Sequence, residues 1–133
     1  MGERGDILII EDDPDVGLLL LDVFDFRGVT TKLIAHPREI TPDLAPSVVL
    51  SDLFGPPWYD RSSAVAHVSA IRQRFPGASL VLLTAFLEAA GDQAEIGADV
   101  VVAKPFDVDD LLQTVLSFAV PAERVAREVT QDG

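Results

Sequence analysis

The sequence contains no cysteine. That single absence excludes disulfides, thiolate metal sites and a catalytic thiol. Basic side chains are scarce: 10 lysines and arginines stand against 22 aspartates and glutamates, for a formal charge of −12. A chain this acidic repels nucleic acid and anionic membranes, so neither is an expected partner. Long apolar runs are missing too. No stretch approaches the roughly 20 residues that cross a bilayer, and Met1-Gly2-Glu3-Arg4-Gly5-Asp6 lacks the apolar core of a signal peptide. A soluble cytoplasmic protein is the expectation. The glycine patterns that cradle nucleotide phosphates, GxxxxGKS/T and GxGxxG, are also absent.

What is present is a regular alternation. With 133 residues and 48% hydrophobic content, the chain suits one domain with a real core. Ile7-Leu8-Ile9-Ile10 is an unbroken apolar run, as expected of a strand buried on both faces. Asp13 can cap a following helix with Pro14 as its first residue and Gly28 at its end. Its inner face would be Val16, Leu19, Leu20, Val23 and Phe24. A second strand is expected at 29–35. Pro37, Pro42 and Pro46 then leave room only for a short helix. Further strands are expected at 48–52, 80–84 and 100–103. Helices are expected at 63–75, with Val65, Val68, Ala70, Ile71 and Phe75 buried, at 87–96, and after Asp107, with Leu111, Leu112, Val115, Leu116 and Ala119 inside. Strand and helix alternate throughout, which predicts an α/β fold with a parallel sheet and helices on both faces. The domain is expected at 6–119, with a polar tail or linker stub at 120–133.

The strand ends carry the chemistry. The first expected strand stops at Glu11-Asp12-Asp13, the third at Asp52, the fourth at Thr84 and the fifth at Lys104-Pro105. In an open parallel sheet the carboxyl ends of the strands form the ligand-binding edge. Acids, a hydroxyl and an amine therefore converge there, a set that suits a divalent cation and a phosphoryl group.

Four motifs in this order, Ile7-Leu8-Ile9-Ile10-Glu11-Asp12-Asp13, the lone Asp52, Leu83-Thr84-Ala85 and Lys104-Pro105-Phe106, resemble the receiver domain of bacterial two-component response regulators. The resemblance covers about residues 6 to 119. It implies a three-layer, doubly wound, five-stranded flavodoxin-like sheet in the order 2-1-3-4-5. It also implies phosphoryl transfer to an aspartate from a sensor histidine kinase or a histidine phosphotransfer protein. Carried over, Asp52 is the phosphoacceptor, Thr84 the hydroxyl for a phosphoryl oxygen and Lys104 the amine that pairs with the group. A Mg²⁺ ion would be held by Asp12, Asp52 and the backbone carbonyl of Phe54, with Glu11 acting through water. Asp13 is left as a helix cap. No enzymatic turnover is expected beyond self-catalysed phosphorylation and dephosphorylation.

The sequence departs from the family in three places. Val101 stands where the family carries a Tyr or Phe that rotates on activation. Phe54 and Phe86, two positions beyond Asp52 and Thr84, cannot orient an attacking water, so slow loss of the aspartyl phosphate is expected. The loop Gly55-Pro56-Pro57-Trp58 is unusual, and its lone tryptophan should report metal binding.

The alternative is a phosphate-independent pseudo-receiver that only binds partners. A small α/β phosphohydrolase fits less well, because such enzymes usually need a second acid where Phe54 stands. His36 and His67 have no partner at metal-ligand spacing and read as structural or surface residues. The acidic face of Glu88, Asp92 and Glu95 reads as solvated. The given sequence stops soon after its last helix, so no DNA-binding domain is expected to follow. Stand-alone regulator, phosphorelay intermediate and fragment of a longer chain all stay open, as does a homodimer through the helix at 87–96 and the last helix.

Overall fold

In a computed structural model, residues 6–119 are described, so the expected tail at 120–133 lies outside the described residues. Five parallel strands form one sheet: β1 (Ile7–Ile10), β2 (Thr31–Ile34), β3 (Val48–Asp52), β4 (Ser79–Thr84) and β5 (Val100–Ala103). Their order is β2-β1-β3-β4-β5, the flavodoxin-like arrangement expected from the sequence.

Side chains alternate across the sheet with the two-residue period of extended backbone. Ile7, Ile9, Val48, Leu50, Val81 and Leu83 face one layer. Leu8, Ile10, Val49, Leu80 and Leu82 face the other. Helices α1 (Pro14–Phe26) and α5 (Val108–Phe118) cover the first face through Leu20, Phe24, Leu111, Leu112 and Val115. Helices α2 (Arg61–Arg74), α3 (Leu87–Gly91) and α4 (Gln93–Ile96) cover the second through Ala64, Val68, Ile71, Ala89 and Ile96. Among the described residues, no helix is long and apolar enough to cross a membrane.

Local chemistry fixes the helix ends. The Asp13 carboxylate accepts the backbone N–H groups of Asp15 and Val16, and Pro14 takes the first turn. At the far end Gly28 adopts φ +76°. Its N–H reaches Asp25 O, and that of Val29 reaches Phe24 O, a Schellman closure that uses the left-handed conformation glycine adopts without strain. Asp60 caps α2 through Ser63, and Asp107 caps α5 through Asp110.

Between β2 and β3 the short helix that the prolines allow is a 3₁₀ turn at Pro37–Glu39, with Ile40 and Leu44 packed against the core. Four expectations are corrected. Strand β2 is shorter than 29–35. Helix α2 starts before position 63, and its inner stripe runs through Ala64, Val68 and Ile71 to Phe75, leaving Val65 and Ala70 exposed. On α1, Leu19 is likewise exposed. The helix expected at 87–96 is two short helices that meet at Asp92. Gly91 and Asp92 are weak helix formers, and the Asp92 carboxylate is drawn sideways by Tyr59 and Arg61.

Candidate functional site

Parallel pairing lines up the carboxyl ends of the strands. Asp52 closes β3 opposite Leu83, and Thr84 closes β4 opposite Ala103. Backbone bonds continue past the strands: Leu53 N donates to Leu83 O, Lys104 N to Thr84 O and Glu11 N to Ile34 O. The chain is therefore held in sheet register as it enters each functional loop. The Lys104–Pro105 peptide is cis.

Three carboxylates meet at this edge. One oxygen from each of Glu11, Asp12 and Asp52 lies within 4.8 Å of the others. Glu11 is buried, Asp52 half-buried and Asp12 exposed, so the cluster opens to solvent on one side. Lys104 reaches in from beyond β5, with Nζ 2.7 Å from Asp52 Oδ1 and 3.2 Å from Glu11 Oε1. The other Glu11 oxygen accepts the Asp13 N–H at 3.1 Å.

The charge balance is uneven. Three carboxylates face one ammonium, so two negative charges are left uncompensated. Burial raises the pKa of Glu11 and that of Asp52. The Asp52 charge adds to the rise at Glu11 and the Asp12 charge to that at Asp52, while a hydrogen bond with Glu11 works against the rise at Asp52; Lys104 opposes both rises without reversing them. Burial also works against the Lys104 ammonium, but its hydrogen bond to Asp52 and the charges of both carboxylates outweigh that and hold its pKa above the ordinary value. A hard divalent cation fits such a group of oxygens, because it would supply the charge the lysine does not.

Thr84 is buried at the end of β4, and its Oγ1 accepts the Phe86 N–H at 3.0 Å. A hydroxyl that accepts still has its own hydrogen to donate. The Phe54 and Phe86 rings are engaged by neighbours. Phe54 lies between two imidazoles, 5.0 Å from His36 and 5.7 Å from His67, and Phe86 packs 6.3 Å from Tyr59.

Three residues at the site were not anticipated. His67 takes the structural one of its two expected roles, but its place beside the site was not foreseen: half-buried, it projects from α2 to within 3.2 Å of the Ser51 hydroxyl, which itself donates to the Asp52 carbonyl. Burial lowers the His67 pKa. Tyr59 donates to Asp92 Oδ2 at 2.6 Å, and Arg61 clasps the same carboxylate with two bonds. Asp92 is therefore paired rather than merely solvated. No local sequence pattern marks these contacts, because each joins segments brought together only by the sheet.

No family model matches the chain. It is 29% identical over 118 residues to the DNA-binding transcriptional regulator NtrC of Salmonella typhimurium, an alignment covering 85% of this chain and 24% of that protein. It is 31% identical over 114 residues to the transcriptional regulatory protein BaeR of Escherichia coli, covering 82% of this chain and 45% of that one. The chain thus spans less than half the length of these curated relatives. Its fold matches the receiver domain of the Francisella response regulator 1452 with a TM-score of 0.71 at 19% identity, covering 86% of this chain and 95% of that domain. In sequence the chain is similar to part of these regulators, and in fold it is similar to the receiver domains of response regulators.

Proposed function

We propose that Asp52 accepts a phosphoryl group from a sensor histidine kinase or a histidine phosphotransfer protein, in a Mg²⁺-dependent step of two-component signalling. The observation that carries this reading is the meeting of Glu11, Asp12, Asp52 and Lys104 in one half-open pocket. One Asp52 oxygen forms the new bond to phosphorus while the phosphorus–nitrogen bond of the donor phosphohistidine breaks, and the departing imidazole takes up a proton. Phosphoryl transfer places little covalent demand on the protein beyond positioning and charge. Lys104 then moves from the Asp52 carboxylate to an oxygen of the new phosphoryl group. Thr84 offers its free hydroxyl hydrogen to another oxygen.

Asp12, Asp52 and the Phe54 carbonyl would hold the Mg²⁺, with Glu11 acting through water. When bound, the ion neutralises the excess carboxylate charge that otherwise repels an incoming phosphoryl group. The reading includes no turnover of an external substrate. The regulatory activities of the longer relatives are not assumed for this chain.

The test is labelling by a small acyl-phosphate donor such as acetyl phosphate with millimolar Mg²⁺. The wild type is expected to take one phosphoryl group per chain, and Asp52→Asn none. Trp58 is 64% exposed and six positions beyond Asp52, so its fluorescence should follow Mg²⁺ in the wild type. Labelling that survives in Asp52→Asn overturns the assignment. Val101 in place of an aromatic favours a second reading, a phosphate-independent binding module. That reading predicts no binding of beryllofluoride, a phosphoryl mimic.

A further inference from the structure

Tyr59 stands where two segments leading from the site cross. One is the loop that leaves β3 at Asp52 and runs through Phe54 to Asp60. The other leaves β4 at Thr84, whose hydroxyl holds the Phe86 N–H at 3.0 Å, and carries the Phe86 ring to 6.3 Å from the Tyr59 ring. The Tyr59 hydroxyl donates to Asp92 at 2.6 Å, and Arg61 adds bonds of 2.9 and 2.7 Å to the same carboxylate. Asp92 is the junction at which α3 stops and α4 starts.

The next residue extends the connection. Gln93 Oε1 accepts the Val101 N–H at 2.8 Å, and Gln93 Nε2 donates to Asp99 O at 3.1 Å. β5 is an edge strand, so this side chain takes the place of a missing sixth strand for one residue. A short helical pair is thereby tied to the phosphoacceptor loop on one side and to the sheet edge on the other.

We propose that Tyr59 relays the loading of the Asp52 pocket to the α3–α4 junction and the β5 edge, through Asp92 and Gln93. The inference rests on the reading of Asp52 as phosphoacceptor. Drawing the Phe54 carbonyl toward a metal pulls the chain that carries Tyr59. Turning Thr84 toward a phosphoryl oxygen disturbs the turn that positions Phe86. Both movements act on the same ring, and both loosen its hold on Asp92. The contact itself is strong at rest. Burial and the Asp92 charge push the Tyr59 pKa up to about 12. A two-helix element broken at Asp92, held outside its core packing by one bidentate clasp and one side-chain bridge, can tilt about the buried Ala89 and Ile96.

The experiment is backbone amide exchange by nuclear magnetic resonance on the full chain, with and without Mg²⁺ and beryllofluoride, with calorimetry reporting binding separately. In the wild type, loading is expected to speed exchange of the Val101 amide about tenfold, a change of about 1.4 kcal/mol in local opening. Tyr59→Phe keeps the ring and removes only the hydroxyl. It should bind the mimic with affinity within about threefold of the wild type and lose the Val101 response. Asp92→Asn should behave likewise. A Val101 response that persists in Tyr59→Phe overturns the relay, as does a wild type that binds the mimic without any response there. Loss of binding in Tyr59→Phe would make the residue a structural prop for the pocket and also refute the relay. A wild type that fails to bind beryllofluoride refutes the phosphoacceptor reading and, with it, this one.

Discussion

Lys104 Nζ lies 2.7 Å from Asp52 Oδ1, so the proposed phosphoacceptor and its cationic partner are already paired before any phosphoryl group arrives. The contact serves two opposed purposes. It stabilises the Asp52 charge, and it occupies the carboxylate that metal and phosphorus must reach. Removing the ammonium should therefore separate two steps. Lys104→Ala is expected to bind Mg²⁺ a few-fold more tightly, since a competing cation is gone. Its phosphorylation by acetyl phosphate should slow about a hundred- to a thousandfold, in the range for loss of one group that stabilises developing charge. Fluorescence titration of Trp58 and initial labelling rates measure the two separately.

The raised pKa values of Glu11 and Asp52 predict a pH dependence of stability with a defined sign. A carboxyl whose folded pKa lies above its ordinary value binds protons more readily folded than unfolded. It therefore lowers stability as pH rises through the window that starts near 3.8 for Asp52 and 4.5 for Glu11 and extends upward. Asp60 and Asp92 have depressed values and contribute in the opposite sense, below 3.8. Glu11→Gln isolates the first effect. Metal-free Glu11→Gln should be more stable than the wild type at pH 7.5, with the difference shrinking toward pH 4. Urea unfolding across that range checks it. Saturating Mg²⁺ should narrow the gap by stabilising the wild type.

Arg72 closes the opposite end of the sheet. Its guanidinium donates twice to Gly97 O, once to Ala78 O and once to Asp99, which also accepts the Leu80 N–H. One side chain thus ties α2 to the entrances of β4 and β5. Arg72→Ala is expected to cost about 2 kcal/mol in urea denaturation, the scale for losing charge-assisted bonds at a half-buried group. Phosphorylation at the far edge should be unaffected.

Gly28 offers a clean test of backbone strain. It has φ +76°, and an added Cβ would meet nothing within 4 Å. Gly28→Ala should therefore cost about 1 kcal/mol from conformation alone, and Gly28→Asn less, because asparagine tolerates the left-handed region better. Thermal unfolding of the two variants gives the comparison.

Much of the molecule could be read in advance because its signals are local. The apolar runs at Ile7–Ile10 and Val48–Leu50 mark strands through the composition of a few neighbouring residues. Asp13, Pro14 and Gly28 mark helix ends through contacts no more than five residues away. The break at Asp92 was missed because the weak helix formers Gly91 and Asp92 do not by themselves demand one, and Tyr59, which draws the Asp92 carboxylate aside, lies 33 residues off. The exposure of Val65 and Leu19 was missed because periodicity shows that a helix has an inner face without saying how wide a strip the sheet covers. His67 carried no signal at all, since its partner Ser51 sits on another element.

The sequence by itself determined the alternation of elements and put the acids, hydroxyl and amine at the strand ends, because both are written in short runs of residues; the strand order followed only from the resemblance to receiver domains. Only the tertiary structure decided which of those groups touch. Glu11 and Lys104 are 93 residues apart, and their 3.2 Å contact depends on β1, β3, β4 and β5 lying in register. It likewise decided that Tyr59, Arg61 and Gln93 grip the α3–α4 junction. A hydrogen bond between distant segments is written in no short stretch of chain; it exists only once burial of the core has fixed the positions of both partners.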